Sequence, residues 1–184
     1  HIDRSIVGIL AEPIKKEMGL NDSQIGFLGG FAFAVFYATL GIPLALLADR
    51  MNRRNIIVAA VTVWSVMTAA CGLAANYVQL VLARIGVGIG EAGSSPQSHS
   101  MIADMYAPHE RSRAMAVYTM AVPIGVMLGF LIGAYVSTHW GWRTAFFVAG
   151  VPGLLLAALL WFTVREPVRG LADGLKAGER KVQS

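Results

Sequence analysis

The 184 residues are 55% hydrophobic and only 14% charged, with a mean hydropathy of +0.58, a balance too apolar for a soluble domain of this length. The net charge of +4 does not point to nucleic acid, because the basic residues sit in short stretches between apolar runs and form no patch with interleaved aromatics. The lone Cys71, inside an apolar run, excludes an intramolecular disulfide framework.

In chain order, Asp3 and Arg4 head an apolar stub that reaches only to Leu10, so a first membrane helix is expected here in truncated form. It leads to Glu12-Pro13 and an amphipathic loop, Ile14 to Met18, closed by Gly19. Asn21 with Gln24 three residues on predicts a helix cap, and we prefer that reading to the glycosylation sequon that Asn21-Asp22-Ser23 also spells. Uncharged runs follow at 25–48, 56–75, 114–138 and 144–164, each near the ~20 residues a helix needs to cross a bilayer. Val78 to Tyr106 is a further span, making six helices with the stub. In the second, Gly26, Gly29, Gly30 and Gly41 predict close helix approach and Pro43 a bend. The turn after it, 49–54, is short and charged, with Asn52 expected in a left-handed conformation. Gly125, Gly129 and Gly133 make a packing stripe in the fifth span, Trp140 and Trp142 are expected at an interface, and the sixth ends at Arg165-Glu166-Pro167. Residues 1–164 read as one membrane bundle and 165–184 as the start of a linker.

The 78–106 segment organises the rest, because it carries Arg84 and Glu91 within a membrane run. Seven residues separate them, about 10.5 Å and nearly two helical turns, so both leave one helix face. An ionised group at mid-bilayer costs at least roughly 2.5–3.5 kcal/mol and marks a substrate or proton route. Gly86, Gly88, Gly90 and Gly93 make one wall nearly bare, and a cavity is expected over Gly86, Gly88 and Gly90. Gly88 to Gly93 also matches the dinucleotide fingerprint, but no strand–turn–helix unit surrounds it. Pro96, among Ser94, Ser95, Gln97, Ser98 and His99, softens the later half of this helix; His99 reads as a hydrogen-bonded helix residue. Ten of the fifteen basic residues fall on one side of the spans, with only Lys15, Lys16 and Arg143 on the other, which predicts that the ten-residue side is cytoplasmic.

Two motifs carry a family resemblance. Ala45-Leu46-Leu47-Ala48-Asp49-Arg50-Met51-Asn52-Arg53-Arg54 resembles the marker between the second and third helices of major facilitator superfamily transporters, with Ala45 and Asn52 in place of its two glycines, and Arg84 with Gly86, Gly88 and Gly90 resembles the fourth-helix pattern. A narrower resemblance, to the Spinster-like branch, rests on Asp3-Arg4, Gly88 to Ala92, Ile102-Ala103-Asp104, Arg111-Ser112-Arg113, Pro123-Ile124-Gly125 and Val164 to Pro167. What it implies is an all-α membrane protein, the amino-terminal six-helix half of a twelve-helix carrier working by alternating access, with a second bundle beyond this chain. It also implies amphipathic, lipid-like anionic cargo; organic acids, sugars or drugs are the alternative in other branches, and a channel or structural bundle is the alternative of another class.

The expected roles follow from chemistry. Glu91 and Asp3 are the proton-coupling candidates; for Glu91, burial favours the neutral carboxyl while Arg84 favours the ionised one. Arg84 and Arg4 are the substrate-binding candidates, since a guanidinium offers a planar fork to carboxylate or phosphate. Asp49, Arg53, Arg54, Asp104, Arg111 and Arg113 are expected to form a gate lock. No nucleophile with a base and no metal cluster suggests an enzyme, and no cofactor or nucleic-acid partner is implied; the expected partners are protons, membrane lipids and the substrate. The expected location is a bacterial inner membrane.

Overall fold

The computed structural model describes residues 2–48 and 51–167, and among them it contains helices and turns but no strand. The helices are α1 (Ile2–Met18), α2 (Asp22–Gly26), a π-helical turn (Phe27–Phe31), α3 (Ala32–Ala48), α4 (Arg53–Leu73), α5 (Tyr77–Ala92), α6 (Ser95–Met105) and α7 (Pro108–Thr163). The stretches Asp22–Gly41, Arg53–Leu73 and Pro108–Thr163 are long and apolar enough to cross a membrane, the last having length for two crossings. Asp49 and the side chains of Asp3 and Arg4 lie outside the described residues.

α1 continues through Pro13 to Met18, where a loop was expected. An interior proline costs ~3 kcal/mol, whereas carrying the helix past it keeps Ile14, 1% exposed, in the apolar core beside Leu10. The helix therefore persists. It ends at Gly19, whose φ of 65° few other residues adopt cheaply, and the Leu20 N–H then reaches back to the Lys15 carbonyl at 3.1 Å.

The cap expected at Asn21 is present: Asn21 Oδ1 accepts from Gln24 N at 2.8 Å, and Asn21 N donates to Gln24 Oε1 at 2.9 Å. α2, the π-turn and α3 join with helical backbone at both junctions, Phe27 and Ala32. Within this span the wide turn falls at Phe27–Phe31, which holds Gly29 and Gly30. Asn52 is not left-handed. It sits at φ −71°, ψ 114°, and its side chain accepts from Asn55 N at 3.0 Å, because the first N–H groups of α4 need a cap acceptor.

The segment read as one span over 78–106, softened around Pro96, is broken at Gly93 and Ser94 into α5 and α6. Pro96, second in α6, has no N–H with which to continue the α5 ladder. Conversely, the fifth and sixth spans meet with almost no loop: α7 bends at Gly141, with φ 83° and ψ 161°, a backbone conformation that any β-carbon would oppose.

α4 is the central post, packed on α5 and α7, while α1 packs on α7 and α3 on α5. The small residues set these distances. A β-carbon built at Gly150 would lie 2.7 Å from the Ser65 carbonyl, and one at Gly133 within 3.4 Å of Ile9 and Ile6 of α1. The apolar core gathers near the Gly141 end, where Leu10, Ile14, Cys71, Leu80 and Phe146 are almost fully buried.

Candidate functional site

Arg84 and Glu91 are both buried, at 1% and 5% exposure, on one face of α5. The Arg84 guanidinium lies 5.9 Å from the ring centroid of Phe33 on α3, within reach of a cation–π attraction. Gly88 shares this face, and a β-carbon there would lie 2.9 Å from the Phe33 carbonyl. Gly86 and Gly90 face α4 instead, with built β-carbons 2.6 Å from Met67 Cγ and Trp64 N. The glycine wall is thus divided between two neighbours. Over Gly86 and Gly88 the expected cavity is filled by Met67 and Phe33, because helices without side chains at the contact close to backbone distance; a cavity of about 420 Å³ does open beside Gly90 and Gly93, walled by Ile89 and by Ile56, Ala59 and Val63 of α4.

The break after Glu91 adds polar groups at the same depth. Ser94 Oγ donates to the Glu91 carbonyl at 3.2 Å, Ser98 Oγ donates to the Ser94 carbonyl at 2.9 Å, and Gln97 is 1% exposed. His99 stands edge-on to Tyr118 of α7, ring centroids 5.1 Å apart. Glu91, Ser94 and Gln97 therefore form a buried polar run across a discontinuous helix. Arg84 lies two turns further along α5.

At the arginine-rich end, Arg53 is a hub. Its Nη1 donates to Asp104 Oδ2 at 2.6 Å and to Ser100 Oγ at 2.7 Å, its Nε to Glu166 Oε1 at 2.8 Å, and its Nη2 to the Pro167 carbonyl at 3.3 Å. Glu166 also accepts from the Arg54 backbone N–H at 2.8 Å, and the Arg54 side chain bonds the Trp161 carbonyl and lies 4.6 Å over its ring. One guanidinium so ties the start of α4 to the end of α6 and to the chain after α7. Arg53 is 4% exposed, which sets these charge-assisted bonds apart from weak surface pairs.

Of the six residues expected in a gate, the structure joins Arg53 with Asp104 and places Arg54 alongside. Arg111 bonds the Tyr106 carbonyl at 3.1 Å, while Arg113 lines a separate cleft with His109 and Tyr118. Glu166 and Ser100 were missed as members. Glu166 stood in a recognised motif at the end of the last span, but its partner is 113 positions away in sequence.

The opposite end has its own clamp. Glu17 accepts from Trp142 Nε1 at 2.6 Å and from Arg143, whose Nη2 donates to the Ala74 carbonyl at 3.0 Å. The hydrogen bonds from Arg143, then Trp142, hold the Glu17 carboxyl below its ordinary range. Trp142, expected at an interface, is 3% exposed because its indole N–H is engaged here; Trp140 is 61% exposed, as an interface anchor would be.

A profile of the Major Facilitator Superfamily matches residues 1–184. The chain is 39% identical over 164 residues to an MFS-type efflux pump of Mycolicibacterium smegmatis, covering 89% of this chain and 38% of that protein. It is 32% identical over 179 residues to a sphingosine-1-phosphate transporter of Danio rerio, covering 94% of this chain and 35% of the relative. Among solved structures, a bacterial homolog of the human lysosomal transporter Spinster, inward-facing and occupied, is similar with a TM-score of 0.87 and 41% identity, covering 94% of this chain and 43% of that chain. The chain therefore spans less than half the length of each of these proteins.

Proposed function

The chain belongs to the Major Facilitator Superfamily and has the fold of part of one half of such a carrier, with the Spinster-like resemblance borne out; from this we propose that it serves proton-coupled transport of an amphipathic, lipid-like anion by alternating access. The observation that carries the reading is the pair of buried charges, Arg84 and Glu91, on one face of a membrane helix. A membrane helix does not keep two such charges without use, given their insertion cost. In this reading Arg84 holds the anionic headgroup, with Arg4 assisting, and Glu91, with Asp3, takes up the coupled proton.

The arginine-rich end faces the cytoplasm of a bacterial inner membrane, and the Arg53 hub closes that side, with Asp49 four positions before Arg53 in sequence and Arg111 seven after Asp104. Charge-assisted bonds that tie three elements together would be broken and remade as the half rocks. Residues 165–184 begin a linker to a second six-helix bundle. The similarity to a sphingosine-1-phosphate transporter supports lipid-like cargo.

The test is counterflow in liposomes with the complete carrier, screened over sphingoid phosphates, lysolipids, organic acids and sugars. Saturable exchange of labelled for unlabelled anionic amphiphile is expected. Exchange of sugars alone would overturn the substrate reading, and non-saturable flux would indicate a channel.

A further inference from the structure

A cleft of about 590 Å³ opens between α6 and the first turns of α7 at the arginine-rich end. Arg113, His109, Tyr118 and Glu110 line it on the polar side, and Ile102 and Val117 on the apolar side. Arg113 makes no ion pair with the described residues, in contrast to Arg53 in its hub. From the cleft an exposed apolar row runs along α7: Val117, Met120, Ile124, Met127 and Leu131, each between 46% and 65% exposed. Their spacing of three and four residues keeps them on one face, over about 21 Å of helix.

We propose that this cleft binds an alkyl phosphate or similar anionic amphiphile, headgroup at Arg113 and chain along the α7 row, as a site separate from Arg84. A cationic end and an apolar track in line are the two halves of such a ligand. The polar end lies where the arginines cluster and the track leads toward the middle of the span, so the ligand keeps the orientation it has in a bilayer. A guanidinium offers phosphate two parallel donors, and Tyr118 adds a hydroxyl. Glu110 opposes an anion here, which makes it a second handle. The proposal rests on the reading of the cargo as an anionic amphiphile.

The experiment uses the complete carrier in nanodiscs, any cysteine outside this chain replaced by serine, with Met120→Cys labelled by an environment-sensitive dye; Cys71 is buried. Titration with dodecyl phosphate should give a saturable response. Arg113→Gln should weaken it about tenfold, the loss of one charge-assisted contact, and Glu110→Gln should strengthen it. Both positions are on the surface, so folding survives. Inorganic phosphate should give no response at the same concentrations. An equal response to inorganic phosphate, an equal response to dodecyltrimethylammonium, no change in Arg113→Gln, or a dye shielded by a second bundle would each overturn the site. Counterflow on the same preparations separates the two ideas: titration without transport of any anionic amphiphile would sink the transport reading alone, and transport without titration would sink this site alone.

Discussion

Arg84 is charged under any condition in which the protein folds, so whatever it faces must accept a fixed cation. Lysine preserves that charge but not the planar fork. We expect Arg84→Lys to fold and to lose roughly tenfold or more in affinity for an anionic amphiphile, since a bidentate contact becomes a point contact. Substrate affinity measured against pH in parent and variant is the check; identical curves would reduce Arg84 to a structural charge. Glu91 offers the complementary experiment. The neutral amide of Glu91→Gln mimics a protonated carboxyl, so we expect exchange to persist while accumulation driven by an imposed pH gradient is lost. A variant that concentrates substrate as well as the parent would remove Glu91 from the coupling role.

Among the elements, glycines with the same chemistry have different consequences according to what faces them. A β-carbon at Gly90 meets the Trp64 backbone N at 2.6 Å, and α4 cannot yield there without moving as a body. At Gly30 nothing lies within 4 Å. Gly90→Ala is therefore expected to destabilise the bundle by about 1–3 kcal/mol through overpacking, while Gly30→Ala is neutral or better; thermal unfolding in detergent distinguishes them. The clamp on Glu17 yields a pH dependence. Its carboxyl titrates lower in the folded protein than in the unfolded chain, whose value is about 4.3. Its contribution is complete above that unfolded value and disappears as pH falls through the folded one. The stability gap between parent and Glu17→Gln should thus be constant near neutrality and close in acid. A gap that stays open at pH ~3 would mean that the bonds from Trp142 and Arg143 do not depend on the ionised carboxylate.

At the scale of the whole molecule, the two ends of the bundle differ in kind. One carries the Arg53 hub and the other the Glu17 clamp, and the Gly141 bend lies beside the latter. The charge asymmetry predicts that cysteines at Asn52 and Thr138 label from opposite sides of the membrane, Thr138 from outside. Labelling of both by an impermeant reagent added outside would reverse the assigned topology.

Much of this molecule was legible in one dimension. Apolar run length, the Asn21–Gln24 cap and the co-facial spacing of Arg84 and Glu91 depend on hydropathy and helical period, which are properties of neighbours in sequence. The tertiary structure alone decided what each side chain meets. It gave Trp142 to Glu17, placed Phe33, Met67 and Trp64 over glycines that had suggested a cavity, and brought Glu166 to Arg53 while leaving Arg113 to a cleft of its own. Those outcomes hang on how closely α3, α4, α5 and α7 approach. That approach is set by packing between residues up to a hundred or more positions apart, which no local pattern encodes.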